Sequence, residues 1–351
     1  MDVTENAELA GLTTFRLGGP ARRLVTAETD EDVVAAVAEA DGRGEPVLVI
    51  GGGSNLVIAD SGFAGTAVRV ATRGVRLSDT SLELAAGEPW AAAVDVTVAA
   101  GLAGVECLAG IPGSAGATPI QNVGAYGQEV AGTVAEVVAY DRQARKTVTL
   151  PSSECDFAYR DSRFKRDPSR FVVLRVRFEL EDAGGLSAPL KYEETARALG
   201  VEAGDRVPVE RARDTVLALR RGKGMVLDPD DHDTWSAGSF FTNPVLTPAE
   251  HAAFVQRVRE RLGPDAVAPA FPAGPEDVKT SAAWLIDRAG FTKGFGTGAA
   301  RISTKHTLAL TNRGGATTED LLALAREVRD GVREAFGVTL VNEPILVGAA
   351  L

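Results

Sequence analysis

The stretch from Pro46 to Leu56 limits what this chain can fold into more than any other. Val47-Leu48-Val49-Ile50 is an unbroken aliphatic run and reads as a buried strand. It leads straight into Gly51-Gly52-Gly53-Ser54-Asn55. A strand that ends in clustered glycines invites the dinucleotide-binding strand–turn–helix. That motif needs a glycine where Leu56 stands and a helix where Ile58-Ala59-Asp60-Ser61-Gly62 follows, and the chain has neither. What remains is a glycine loop between two strands. It is either a tight hairpin or a nest of backbone N–H groups able to cradle a phosphate.

A second loop bears on that choice. Gly110-Ile111-Pro112-Gly113-Ser114-Ala115-Gly116-Ala117 runs on to Gln121-Asn122-Val123-Gly124-Ala125-Tyr126-Gly127. So many small residues are costly to order, and something must organise them. A large, flat, phosphate-bearing cofactor would do so. A Walker loop is excluded, because Gly222-Lys223 is followed by Gly224 and not by Ser or Thr.

The flanking patterns read as α+β. Thr29 caps an amphipathic run ending near Gly42, and Pro89 is expected at the first position of a helix running to Gly101. Alternation predicts strands within 133–150 and 171–180, and again over 302–311 and 339–347. Short helices are expected over 191–199 and 209–219. Thr247-Pro248-Ala249-Glu250 is a capping box opening a helix that buries Phe254, Val255, Val258 and Leu262. Helices are also expected over 284–289 and, strongly amphipathic, 317–336. At 351 residues the chain is longer than one core usually serves, and the division is expected around 183–235.

Net charge and cysteine count narrow the function classes. A formal charge of -11 argues against a nucleic-acid or anionic-membrane binder but leaves room for a small anionic ligand at a local basic cluster. Cys107 and Cys155 cannot build a disulfide framework, and His232, His251 and His306 are too scattered for a zinc site; no metal is expected. The acidic start, Met1-Asp2-Val3-Thr4-Glu5, lacks a secretory pattern, so a cytoplasmic location is expected.

Three polar residues stand in unusual company. Ser239 lies between Gly238 and Phe240-Phe241: either a strand-edge serine satisfied by backbone, or a hydroxyl kept dry and aimed. Arg160, in Tyr159-Arg160-Asp161-Ser162, is either an exposed loop charge or a guanidinium fixed for a carboxylate. Glu343, in Val341-Asn342-Glu343-Pro344-Ile345, is an acid in an apolar strand, where it must be paired or protonated. Lys223, after Arg220-Arg221, is a solvated helix end or a point charge for a diphosphate.

Taken in order, these segments resemble the UDP-N-acetylenolpyruvoylglucosamine reductase family. The resemblance runs from about Thr13 to Leu346. It rests on Thr14-Phe15-Arg16-Leu17-Gly18-Gly19-Pro20-Ala21, on both glycine loops, on Tyr159 to Ser162, on Gly238-Ser239-Phe240-Phe241 with Asn243-Pro244, and on Ala283-Trp284-Leu285-Ile286-Asp287. It implies an α+β chain with a PCMH-type (vanillyl-alcohol-oxidase-like) FAD-binding domain over 13–182 and a connecting region over 183–234. A C-terminal α+β substrate domain over 235–337 and a returning strand over 338–351 that carries Glu343 would follow.

The implied activity is NADPH-dependent reduction of an enolpyruvyl UDP-sugar through non-covalent FAD, in peptidoglycan precursor synthesis. By motif, Arg160, Ser239 and Glu343 are the implied catalytic residues. Tyr192, Lys223 and Asn243 are the implied substrate contacts, although Arg220 to Pro229 departs from the family's shorter Lys-Leu-Pro-Asp-Pro form. Candidate FAD contacts are Gly51, Gly52, Gly53, Ser54, Asn55, Gly113, Ser114, Gly116, Gln121, Asn122, Gly124, Tyr126 and Gly127. A monomer is expected, with partners limited to the UDP-sugar and NADPH. Two other readings stay open: a flavoprotein oxidase of the same fold, and a catalytically idle nucleotide-sugar binder.

Overall fold

Two hydrophobic cores form, and neither draws on a single unbroken stretch of chain. The computed structural model describes residues 1–351. Its first unit comprises Met1–Ala7, Ala21–Gly53 and Phe63–Val226, and its second Glu8–Pro20, Ser54–Gly62 and Leu227–Leu351. Residues 183–226, expected as a connecting region, pack as part of the first unit.

In the first unit, a four-stranded sheet has the order Asp2–Glu8, Pro20–Ala27, Phe63–Val70, Val47–Ile50. Phe63–Val70 runs parallel to both of its neighbours, Pro20–Ala27 and Val47–Ile50. Helix α1 (Asp30–Gly42) makes one crossover; Thr29 caps it by accepting from the Asp32 N–H, and Val33, Ala36, Val37 and Ala40 face the core. A second, antiparallel sheet has the order Lys146–Pro151, Val134–Asp141, Phe171–Glu179, Ser81–Ala85, Val75–Ser78. Helix α2 (Trp90–Ala99) packs Trp90 against Phe178 in this core.

The one-turn helix α3 (Arg163–Arg166) starts at the Ser162 cap. Helices α4 (Glu193–Leu199) and α5 (Val209–Gly222) share a smaller cluster with Cys107, Leu190 and Val207. Burial pushes the Cys107 thiol up to about 12, which keeps it an inert core residue.

The second unit is organised by α6 (Pro248–Leu262), α7 (Ala282–Arg288) and α8 (Thr318–Phe336). Both capping boxes, at Thr247/Glu250 and Thr317/Asp320, are complete. Phe254, Trp284 and Phe336 meet at ring distances of 5.7–6.5 Å. The core also takes in Phe15, Leu17 and Val57 from far upstream. Leu56–Ile58 pairs in parallel with Ile345–Val347, and Thr318 donates its hydroxyl to the Ile58 carbonyl at 2.6 Å. No helix of the chain is long and apolar enough to cross a membrane.

Four local expectations are corrected. Pro89 precedes its helix as an extended cap (ψ 124°), because it bridges Ser114 while the Trp90 N–H donates to Gly113. Leu262 is exposed at the end of α6 instead of buried. The 302–311 strand is a hairpin of Ala300–Ile302 and Leu310–Asn312. Its turn is set by the Ser303 hydroxyl, which accepts from the N–H groups of Lys305 and His306. Of 339–347, only Ile345–Val347 is a strand. Glu343 therefore lies ahead of it and is half-buried, not enclosed in an apolar strand.

Candidate active site

The first unit brings together most of the loop residues singled out in the sequence. The two glycine loops touch. A Cβ on Gly52 would lie 2.5 Å from the Gly113 Cα, and one on Gly51 would lie 2.3 Å from the Ser114 Oγ. Gly116 and Gly127 are likewise closed in, against Ala86 and Lys191. Part of the glycine density is thus explained by chain approaching chain. The group that packing leaves unexplained is Gln121, buried with neither its amide nitrogen nor its amide oxygen partnered. A buried primary amide without hydrogen bonds is costly, and a ring system edged with donors and acceptors would satisfy it. The donor set of these loops therefore fits FAD.

Arg160 is placed by a framework of side chains. Ala158 and Asp161 exchange two backbone hydrogen bonds, so Tyr159 and Arg160 form the corner of a tight turn, with Arg160 at φ 51°. The turn is anchored on one side by Ser162, whose hydroxyl donates to the Ile120 carbonyl at 2.7 Å, and on the other by Lys165, which donates to the Arg160 carbonyl at 2.7 Å. The Arg160 guanidinium donates to the carbonyls of Gly124 and Asn122. Here Gly124 has a second use: a Cβ would sit 2.6 Å from the Glu129 side chain and 3.0 Å from Arg160.

Asn122, at φ 42°, is fully committed to this framework. Its amide donates to Glu129 and to the Ala158 carbonyl, and its oxygen accepts from the Ala131 N–H. Glu129 escaped the sequence reading; its only signal was an acid two residues past Gly127.

A basic and aromatic group lies on α4, α5 and the 124–129 loop. Lys223 closes α5, donates to Glu194 at 2.7 Å and sits 5.4 Å above the Tyr126 ring. Burial pulls the Lys223 ammonium down, but its bond to Glu194 and the nearby Tyr126 outweigh this, so its pKa is raised. Tyr192, well exposed, packs edge-on against Tyr126 at 5.5 Å. Burial raises the Tyr126 phenol. Arg220 is 9% exposed; its Nη2 donates to the Met225 carbonyl while its Nε is buried without a partner, and burial lowers it to about 10.

The second unit ties Phe240, the residue after Ser239, to Glu343 through main chain. Phe240 and Phe241 are 0% and 1% exposed, and their rings anchor the strand-like segment that follows Ser239. The Glu343 N–H donates to the Phe240 carbonyl at 2.8 Å, Phe241 bridges Asn342, and the Thr242 N–H donates to Val341. Gly238, at φ 74°, turns the chain into this ladder. Asn55 joins from the first glycine loop: its amide donates to the Glu343 carbonyl at 3.4 Å and its own carbonyl accepts from Ile345. Asn243 accepts the Ala282 N–H at 3.0 Å, which ties it to the start of α7. Ser54 belongs to this unit as well.

Comparison with known proteins agrees with this division of labour. A family model for an FAD binding domain matches residues 21–142, and one for the C-terminal domain of UDP-N-acetylenolpyruvoylglucosamine reductase matches residues 228–347. The chain is 75% identical to the UDP-N-acetylenolpyruvoylglucosamine reductase of Streptomyces avermitilis, over 99% of this chain and 95% of that one. The crystal structure of the enzyme of that name from Thermus caldophilus superposes with a TM-score of 0.66 at 26% identity, covering 99% and 98% of the two chains. 6-Hydroxy-D-nicotine oxidase from Arthrobacter nicotinovorans shares the fold at a TM-score of 0.56 and 17% identity, covering 96% of this chain and 86% of that one. The first of the two folds is thus the PCMH-type, vanillyl-alcohol-oxidase-like FAD fold. The chain belongs to the UDP-N-acetylenolpyruvoylglucosamine reductase family, the FAD-dependent oxidoreductases that reduce the enolpyruvyl UDP-sugar in peptidoglycan precursor synthesis.

Proposed function

We propose that, in this NADPH-dependent reduction of the enolpyruvyl UDP-sugar to UDP-N-acetylmuramate, Arg160, Ser239 and Glu343 act at the reacting end of the substrate. FAD, held by the two glycine loops with Gln121, supplies when bound the relay of hydride between NADPH and the terminal vinyl carbon. The protein's own work is to manage the charge and the proton. Hydride addition at that terminus leaves negative charge on the carbon beside the carboxylate. The Arg160 guanidinium binds the carboxylate as a fixed fork and shares the charge. Ser239 donates its Oγ proton to the carbon, completing addition of H₂ across the double bond, and recovers a proton from water. A serine hydroxyl is a weak acid, so its effect depends on being held on target. Glu343 assists at the carboxylate end. Tyr192, Lys223 and Asn243 hold the nucleotide sugar.

The observation that carries this reading is the main-chain ladder joining Phe240 and Thr242 to Glu343 and Val341, which fixes Glu343 against Phe240, the residue after Ser239, on core-anchored backbone. A monomer is proposed as the working state. The cytoplasm, where nucleotide sugars and NADPH are held, is the proposed location. The test is Ser239→Ala followed by rapid mixing of each half-reaction. Flavin bleaching by NADPH should keep its rate, and reoxidation by the enolpyruvyl substrate should slow by about 10²-fold or more. Equal slowing of both half-reactions in a folded, FAD-loaded variant removes Ser239 as the proton donor.

A further inference from the structure

Lys223 already has an anion. Its ammonium donates to the Glu194 carboxylate at 2.7 Å and covers the face of Tyr126 at 5.4 Å. Tyr126 in turn meets the edge of Tyr192, two residues before Glu194, and Tyr192 stands at the start of the short helix α4 that carries Glu194. One tyrosine face, one ammonium and one carboxylate thus meet on α4, α5 and the loop at Tyr126, with the Arg220 guanidinium acting on the same tyrosine. The pair is half-open to solvent, with side-chain exposures of 32% for Lys223 and 40% for Glu194. No packing requirement explains the acid. α4 buries Thr195, Ala196 and Leu199, while Glu194 stands half-buried in its first turn.

We propose that Glu194 is an internal stand-in for the diphosphate of the nucleotide sugar, occupying the Lys223 ammonium until substrate displaces it. This rests on the reading of Lys223 as the diphosphate ligand. An ammonium offers three donors but only one compact charge, so two anions cannot both be satisfied there without repulsion between them. A diphosphate carries more charge than a carboxylate and takes the contact when it arrives. The displaced Glu194 stays tethered close by and re-forms the pair as the product leaves. Glu194 thus weakens binding of substrate and product alike, and a protein without it holds both more tightly.

The test is a four-member set: wild type, Glu194→Gln, Lys223→Met and the double variant, each checked for FAD loading by its absorption spectrum. The measurements are calorimetric Kd values for UDP and for UDP-N-acetylmuramate, with inorganic pyrophosphate as a competitive inhibitor. Glu194→Gln should tighten all three ligands by about two- to fivefold, the range of a partly exposed ion pair. It should also strengthen product inhibition. In the Lys223→Met background the same change should have no effect. If Lys223→Met weakens binding while Glu194→Gln leaves it unchanged or weakens it too, Glu194 merely orients the lysine and the proposal is overturned. If Lys223→Met leaves all three affinities unchanged, the reading of Lys223 itself fails, and the proposal with it.

Discussion

The Arg160 turn and the Phe240–Glu343 ladder are held by opposite means. In the first unit, the Arg160 turn is held by side chains: Asn122, Ser162 and Lys165 each bond to backbone, and Glu129 holds Asn122. In the second unit, Glu343 is held by main-chain pairing to Phe240, the residue after Ser239, and two buried phenylalanines fix that pairing. A side-chain framework can hold a residue at a positive φ, where no ladder would form, but each of its members is a separate point of failure. A ladder has few sequence requirements beyond its apolar anchors. The first arrangement suits an irregular loop beside the glycine-rich segments, and the second suits an extended segment that follows the turn at Gly238.

Phe240→Ala should show the largest effect. Removing a fully buried ring is expected to cost about 3–5 kcal/mol, read as a lower denaturation midpoint. Turnover should fall with it while FAD still co-elutes with the protein on gel filtration at moderate denaturant, because the anchor belongs to the second core. Release of FAD in step with that loss would break the contrast between the units. Gly52→Ala comes next, at about 1–3 kcal/mol, since its Cβ meets the Gly113 backbone and not a movable side chain. It should reduce FAD loading on purification; full loading with an unchanged midpoint would show that the loops yield easily.

Asn122→Ala strands the Ala131 N–H and the Ala158 carbonyl, a cost of about 1–3 kcal/mol. Its sharper signature is kinetic. If about 1.4 kcal/mol of that cost falls on the placement of Arg160, kcat/KM for the enolpyruvyl substrate drops about tenfold. Reduction of the flavin by NADPH should change less. Equal effects on both half-reactions would mean that Asn122 serves the cofactor and not Arg160.

The smallest effect is expected at the α8 cap. Thr317→Ala should cost about 1 kcal/mol. The Asp320 carboxyl lies below the usual carboxylate range because the Thr317 N–H and hydroxyl donate to it. A carboxylate whose folded pKa is lowered contributes stability above its ordinary value, and that contribution is lost as pH falls from there through the folded value. The acid-side loss of stability should therefore be shallower in Thr317→Ala, in a denaturant series run from neutral pH downward.

The sequence made some of this plain and hid the rest for identifiable reasons. Caps at Thr29, Thr247 and Thr317 were legible because the signal and its partner lie three residues apart. The failed dinucleotide test at Leu56 was legible too, and it excluded the wrong FAD fold. Ser303 was missed because a hydroxyl that turns a hairpin looks like any strand serine. Arg160 stood out by its neighbours, but not its placement at φ 51°, which depends on Asn122, 36 residues before the Ala158 carbonyl to which it donates. Glu194 had no signal of its own: its partner lies 29 residues away on another helix. The place of Phe15 and Val57 in the second core was hidden because their partners are more than 180 residues away.

That last feature bears on how the chain is made. The second core needs Phe15, Leu17 and Val57, yet its closing strand pair joins Leu56–Ile58 to Ile345–Val347. During synthesis the early segments leave the ribosome long before their partners exist and must wait, exposed, through nearly the whole of translation. A fragment cut at residue 227 would lack them altogether. The second unit is therefore a poor candidate for expression as a separate piece, and its folding is the step at which a nascent chain is most open to capture by chaperones or to aggregation.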